Sequence, residues 1–143
     1  MSVSISQTSL LKNNYKNRLS KEVVAHCPES GITIELHNRD MGREAFYAVK
    51  NGEPIAYCVG HRMVRKSKQW FCIKSTFVRP DHQKQGVGMM VYTAILNTGR
   101  TIISDYELSE GAMALWSKLR NNPALRVRKE WRQYIARLVK QEM

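Results

Sequence analysis

The stretch Val78-Arg79-Pro80-Asp81-His82-Gln83-Lys84-Gln85-Gly86-Val87-Gly88-Met89-Met90 constrains this chain more than any other. An apolar, β-rich run from Trp70 to Val78 leads into it, and an apolar, helix-prone run from Met89 to Leu96 leads out. Between them lies a polar turn with two glycines one residue apart. That pattern predicts a strand, a tight loop and a helix N-terminus. Glycine lets the main chain approach a ligand with no Cβ in the way. The unpaired N–H groups of a helix's first turn then face whatever sits there, and the helix dipole favours an anion. The loop therefore reads as a phosphate cradle. It is not the Gly-x-x-x-x-Gly-Lys-Ser/Thr loop of nucleotide hydrolases, nor the three-glycine dinucleotide fingerprint.

The flanking chain supplies the frame. Leu10, Leu11, Tyr15, Leu19, Val23 and Val24 recur at three- and four-residue steps, which predicts an amphipathic helix ended by Cys27-Pro28-Glu29-Ser30-Gly31. Ile32–Leu36 alternates apolar and polar residues, as a half-buried strand does. Ala45–Lys50 and Ile55–Gly60 are strands joined at Asn51-Gly52, a strong hairpin signal. A basic turn, Val64–Gln69, precedes the long strand Trp70–Val78. After the cradle come a helix (Met89–Asn97), a short strand (Thr101–Asp105), and a helix capped by Ser109 with Ala112, Leu115, Trp116 and Leu119 on one face. Two further strands are expected over Leu125–Arg128 and Tyr134–Val139. The first strands predict an antiparallel meander. The strand–helix–strand unit around the cradle predicts a parallel crossover.

The 143 residues are read as one domain over 1–143, with an ordinary apolar share of 43%. No apolar run reaches the ~20 residues of a membrane span, and no signal peptide is visible, so a cytoplasmic protein without a membrane partner is expected. Cys27, Cys58 and Cys72 are odd in number, widely spaced and without a metal pattern, as expected of free thiols in a reducing compartment. No metal is expected. A formal charge of +11 favours acidic partners: nucleic acid, an acidic protein surface or a polyanionic small molecule.

Gln83-Lys84-Gln85-Gly86-Val87-Gly88, with Pro80 three residues before the glutamine, resembles motif A of the GNAT acyltransferases, Gln/Arg-x-x-Gly-x-Gly/Ala. The likeness extends from about Ile32 to Leu138. It includes the hairpin Val49–Ile55, Ile103-Ser104-Asp105 and the segment Ser109–Trp116. The Ser-Asp exit and the Ala-x-x-Leu-Trp helix are similar, more loosely, to small acetyltransferases carried by bacteriophages. The resemblance implies an α/β (α+β) fold: a mixed, mostly antiparallel central sheet, flanked by helices, whose parallel fourth and fifth strands splay apart. It implies acetyl-CoA as donor, with the pantetheine arm against the main chain of Phe77 and Val78. The pyrophosphate would rest on Gln83, Lys84, Gln85, Gly86, Val87, Gly88 and Met89. Ser109 and Trp116 would line the acyl-CoA, Trp116 being equally a core candidate. Lys84 reads as a phosphate partner or as a solvated loop lysine.

Acyl transfer needs a neutral amine, stabilisation of the charge developing on the carbonyl oxygen, and protonation of the leaving thiolate. The family often uses a tyrosine on the helix after its fifth strand, but here that position is Trp116, whose indole N–H is no useful acid. It often uses a glutamate on its fourth strand, where this chain has Lys74, Ser75 and Thr76. Asp105 is the nearest acidic candidate, with Tyr106 and Ser75 as helpers. Glu35 and Glu44 are more remote, and His82 is a loop histidine near the cradle. The expected function is acetyl-CoA-dependent N-acyl transfer to an amine: a protein lysine, a small amine or aminoacyl-tRNA. The alternative is a weakly active or inactive GNAT-fold binding or inhibitor protein acting on a host protein or nucleic acid. Basic residues cluster at Arg62–Lys68 and in the tail from Arg120 to Lys140, where Trp131 and Tyr134 are interleaved. That interleaving suits RNA or another polyanion; the other reading is a solvated basic face whose aromatics pack inward. Family members often dimerise through C-terminal strands, which leaves a homodimer open.

Overall fold

A computed structural model of the protein describes Leu11, Tyr15 and residues 20–139. Its elements are β1 (Ser20–Cys27), β2 (Ile32–Asn38), β3 (Arg43–Lys50), β4 (Glu53–Arg65), β5 (Lys68–Val78), α1 (Val87–Asn97), β6 (Thr101–Ile103), α2 (Glu110–Arg120), β7 (Leu125–Glu130) and β8 (Gln133–Leu138). The strands form one sheet in the order β1-β2-β3-β4-β5-β6-β8-β7. Only β5 and β6 run parallel; the other neighbours are antiparallel. The mixed, mostly antiparallel sheet expected from the sequence is thus present.

Local chemistry accounts for the turns. Asn51 and Gly52 both take positive φ, 53° and 75°, as the two central residues of a type I′ hairpin must. Lys66 and Ser67, φ 51° and 65°, do the same between β4 and β5. Hence the basic segment Val64–Gln69 is not a long turn. It is the tip of two strands, and its charges line a rigid hairpin.

The predicted N-terminal helix is corrected at its end. Leu11 and Tyr15 are helical, Leu10 and Leu19 lie outside the described residues, and Val23 and Val24 belong to β1. β-branched residues favour the pleated strand, and pairing with β2 satisfies their main chain. Val23 is 56% exposed, whereas Val24 and Ala25 both pack on the core where a bulge shifts the β1–β2 register.

The sheet buries both faces. Phe46 and Ala48 of β3 join the main core with Val91, Tyr92 and Ile95 of α1. Their neighbours Ala45, Tyr47 and Val49 pack on the opposite face with Leu11 and Tyr15. The two remote acidic candidates are both engaged. Glu35 is buried, bonded by His37 (2.9 Å) and Tyr15 (2.9 Å) and 3.4 Å from the Lys21 ammonium. Burial pushes its carboxyl up, but these donors and the lysine charge hold it below the usual value. Glu44 is buried under Arg100, which reaches it through Nη2 (2.9 Å) and Nε (3.3 Å).

One irregularity positions the site. Lys74 has no partner in the β4–β5 register: Val59 faces Ser75, and Gly60 faces Ile73. This bulge shifts the side-chain parity of β5. Before it, Phe71 and Ile73 face α1; after it, Thr76 and Val78 do.

Candidate active site

β5 and β6 pair only at Trp70–Thr101, Phe71–Ile102 and Cys72–Ile103. β5 then continues to Val78, while the chain after β6 is drawn to β8. Ser104 donates its N–H to the Tyr134 carbonyl (2.8 Å), its Oγ accepts the Tyr134 N–H (2.9 Å), and the Gln133 side chain donates to its carbonyl (2.9 Å). Pinned in this way, Ser104 cannot follow β5, and a gap opens between the strands. Arg79 N–H bonds the Ile55 carbonyl on the β4 side. Strand alternation therefore turns the main chain of Thr76 and Val78 toward the gap and that of Phe77 toward β4.

The cradle closes the top of this gap. Gln83 Nε2 donates to the Val78 carbonyl (2.9 Å), tying the loop back to the end of its own strand. Lys84 and Gly86 both hold left-handed backbone, φ 62° and 78°. Gly86 is the residue before α1, and no side chain caps that helix. The first helical bond is Met90 N–H to the Gly86 carbonyl (3.0 Å), which leaves the N–H groups of Val87, Gly88 and Met89 without an acceptor among the described residues. Gly88 has a second reason to be glycine: a Cβ there would lie 3.2 Å from Leu115 Cδ1 of α2. The two helices pass closely at this point.

A cleft of about 490 Å³ runs from this helix end along β5 to α2, walled by Phe77, Val78, Met89, Ser109 and Leu115. His82, Lys84 and Lys118 bring basic side chains to it. The free N–H row, the basic rim and the absence of an acidic first-turn residue fit a phosphorylated ligand. Ser109 caps α2, its Oγ accepting the Ala112 N–H at 3.1 Å. Ser109→Ala is expected to cost about 1 kcal/mol of stability, seen as a lower midpoint in urea unfolding.

Thr76, Ser109 and Ala112 are shared with an inner pocket of about 300 Å³, which holds Lys74, Ser75, Tyr92 and Asp105. Tyr92 Oη lies 3.1 Å from Thr76 Oγ1, which in turn reaches Cys58 Sγ at 3.6 Å. Burial pushes the Tyr92 phenol well up, so it stays protonated. Burial raises the Cys58 thiol to about 12, which leaves it inert. Asp105 Oδ1 accepts the Tyr106 N–H (2.9 Å) and lies 3.7 Å from Lys74 Nζ. Trp116 is buried, stacked on Tyr134 with centroids 5.7 Å apart, and shows one edge to the inner pocket. Tyr106 is placed elsewhere. It stands 48% exposed against Trp131 in an adjoining open pocket of about 530 Å³ that shares Asp105 and Glu107 with the inner one.

The structure thus brings together the cradle, Val78, Ser75, Ser109 and Asp105. Tyr92, Thr76 and Leu115 belong to the same cleft and were missed in the sequence. Each reads there as an ordinary strand or helix-face residue, and only the bulge and the helix approach reveal them.

Residues 11–127 match the sequence pattern of the acetyltransferase (GNAT) family. The chain belongs to that family. A search of curated protein sequences returns no match. Among solved structures, the GNAT chain is similar to a ribosomal-protein-alanine N-acetyltransferase from Brucella melitensis biovar Abortus 2308. The identity is 12% and the TM-score 0.50, over 57% of this chain and 63% of that one. It is also similar to the aminoglycoside acetyltransferase HMB0005 from an uncultured soil metagenomic sample, with 17% identity and a TM-score of 0.51 over 73% and 67% of the two chains. The chain thus spans just under two thirds of the Brucella enzyme. At these identities the likeness is one of fold, and the two enzymes are named for different acceptors, a ribosomal-protein alanine and an aminoglycoside. No helix among the described residues is long and apolar enough to cross a membrane, and they contain no cluster of metal-ligating side chains.

Proposed function

We propose that this protein is an acetyl-CoA-dependent N-acetyltransferase acting on an amine-bearing acceptor. The observation that carries the reading is the row of free N–H groups at the start of α1, opening into the gap where β5 and β6 part. The pyrophosphate would rest on Gly86, Val87, Gly88 and Met89, with Lys84 and Lys118 adding charge from the rim. The pantetheine arm would run along the free edge of β5 at Thr76 and Val78, placing the thioester in the inner pocket.

The three pockets share lining residues in series, which would give donor, reaction centre and acceptor each a compartment. The acceptor would enter between Tyr106 and Trp131, past Asp105 and Glu107. These carboxylates attract a cationic amine, and Asp105 would take the proton that it must lose. The amine nitrogen then bonds the carbonyl carbon, the C–S bond breaks, and the sulfur leaves as a thiolate that gains a proton. Protonated Tyr92 and Ser75 are donors at the wall, not bases.

Isothermal titration with acetyl-CoA, followed by a thiol-release assay on lysine peptides, N-terminal peptides and polyamines, tests the proposal. Binding together with turnover of one acceptor class is the expected result. Absence of acetyl-CoA binding to the intact chain sinks it. Asp105→Asn is expected to lower kcat/KM by about tenfold or more, with acetyl-CoA affinity unchanged.

A further inference from the structure

A groove of about 1070 Å³, larger than the cleft, lies at the end of the sheet where β5 and β6 begin. β5 spans 11 residues, which at about 3.3 Å each sets the groove roughly 30 Å from the cradle. Arg65, Lys66 and Lys68 reach it from the β4–β5 hairpin, Arg126 and Arg137 from β7 and β8, and Arg120 from the end of α2. None of these six has a carboxylate partner among the described residues. Arg128, also in the groove, is paired with Glu130 at 3.4 Å.

The arrangement works against folding. Arg126 lies directly opposite Arg137 across the β7–β8 ladder, and Arg65 opposite Lys68 across β4–β5. Like charges facing one another on paired strands destabilise a sheet. Two such pairs, aimed into one groove, repel one another less when an anion lies between them. The two strand pairs come from distant parts of the chain, so a single extended anion would neutralise both.

We propose that this groove binds a single nucleic-acid strand through its phosphates. Arginines outnumber lysines in it, and their planar forks grip phosphates in bidentate fashion and stack on bases. One is already arranged so: the Arg65 guanidinium lies 4.9 Å over the Trp70 ring at the groove wall. A run of Asp and Glu side chains offers carboxylates but no flat rings for that platform, whereas every base of a nucleic-acid strand has one. The groove is remote from the donor cleft, so the inference stands whether or not the acetyltransferase reading does.

Fluorescence anisotropy of the full chain with a labelled mixed-sequence RNA oligomer, a DNA oligomer of the same sequence and a polyglutamate competitor tests it. If six cations each neutralise one phosphate, log K falls with log salt at a slope of about −4, roughly a 300-fold loss between about 50 and 200 mM. The double variant Arg126→Gln/Arg137→Gln flattens that slope by about 1.4. It leaves acetyl-CoA affinity unchanged and melts no lower than the wild type, because a repulsive pair has gone. Lys66→Gln/Lys68→Gln, on the hairpin, flattens the slope likewise. Equal RNA and DNA binding, or a preference for either, supports the groove as a nucleic-acid site. The proposal is overturned by absent binding at low salt, by slopes unchanged in both variants, or by polyglutamate competing as well as RNA. A lower melting midpoint in Arg126→Gln/Arg137→Gln also overturns it, since the arginines would then be serving the fold.

Discussion

Gly60→Ala is expected to lower the melting midpoint by roughly 10 °C, a loss of about 3 kcal/mol. The substitution adds one methyl group and asks nothing unusual of φ. Its Cβ would lie 2.0 Å from the Cys72 carbonyl oxygen, 2.9 Å from that carbonyl carbon and 3.0 Å from Phe71 Cζ. The first two are main-chain atoms of the adjacent strand, which no rotamer change can move. β4 must draw away from β5 at the bulge. The bulge is what turns Thr76 and Val78 toward α1. The damage therefore reaches the cleft, and acetyl-CoA binding should weaken in whatever fraction stays folded. Gly111→Ala serves as the control. It lies in α2, where a Cβ meets nothing closer than Ser109 Oγ at 4.0 Å, so it should stabilise by up to about 1 kcal/mol. Thermal melts of the two variants side by side decide the matter. A midpoint for Gly60→Ala equal to the wild type would show that the two strands separate freely there, and the bulge would lose its place in the account of the site.

The contrast between Gly60 and Gly86 marks what a sequence can reveal about this fold. Gly86 stands in a recognisable pattern, between a strand and a helix, and its left-handed φ is the local property which that pattern encodes. The Asn51-Gly52 turn, the Ser109 cap and the two C-terminal strands were legible for the same reason: their causes lie within a few residues. Gly60 occupies the middle of an apolar strand and carries no local signal. Its necessity comes from Cys72, twelve positions on, through a register shift that no periodicity announces. β1 shows the opposite failure. Val23 and Val24 continue a helical spacing begun at Leu10, yet pairing with β2 outweighs it. The inner pocket was legible only in part. Asp105 and Ser75 stand out by type, whereas Tyr92 looks like one more core residue of a helix. Its phenol matters because the bulge sets Thr76 opposite it. The charge excess was plain in the composition, but its concentration across two facing strand pairs appears only with the register.

Gly86→Glu is expected to lower acetyl-CoA affinity at least a hundredfold while costing the fold little. Two effects act on stability and nearly offset. A side chain at φ 78° costs about 1 kcal/mol. A carboxylate at the N-terminus of α1, where no residue of the first turn is acidic, returns about 0.3–1 kcal/mol through the helix dipole. No heavy atom lies within 4 Å of the added Cβ, so there is no clash to relieve. For the ligand the signs do not offset. The new carboxylate competes for the same N–H groups of Val87, Gly88 and Met89 and repels a phosphate seated there. Gly86→Asn separates charge from backbone. Asparagine tolerates left-handed φ and carries no charge, so Gly86→Asn should retain most of the affinity that Gly86→Glu loses. Titration calorimetry of both variants, with their urea midpoints measured alongside, gives the answer. Equal affinity in Gly86→Glu and wild type would place the phosphates away from the start of α1. An equal loss in both variants would mean that the glycine backbone itself, not the anion-binding end of the helix, is what the ligand needs.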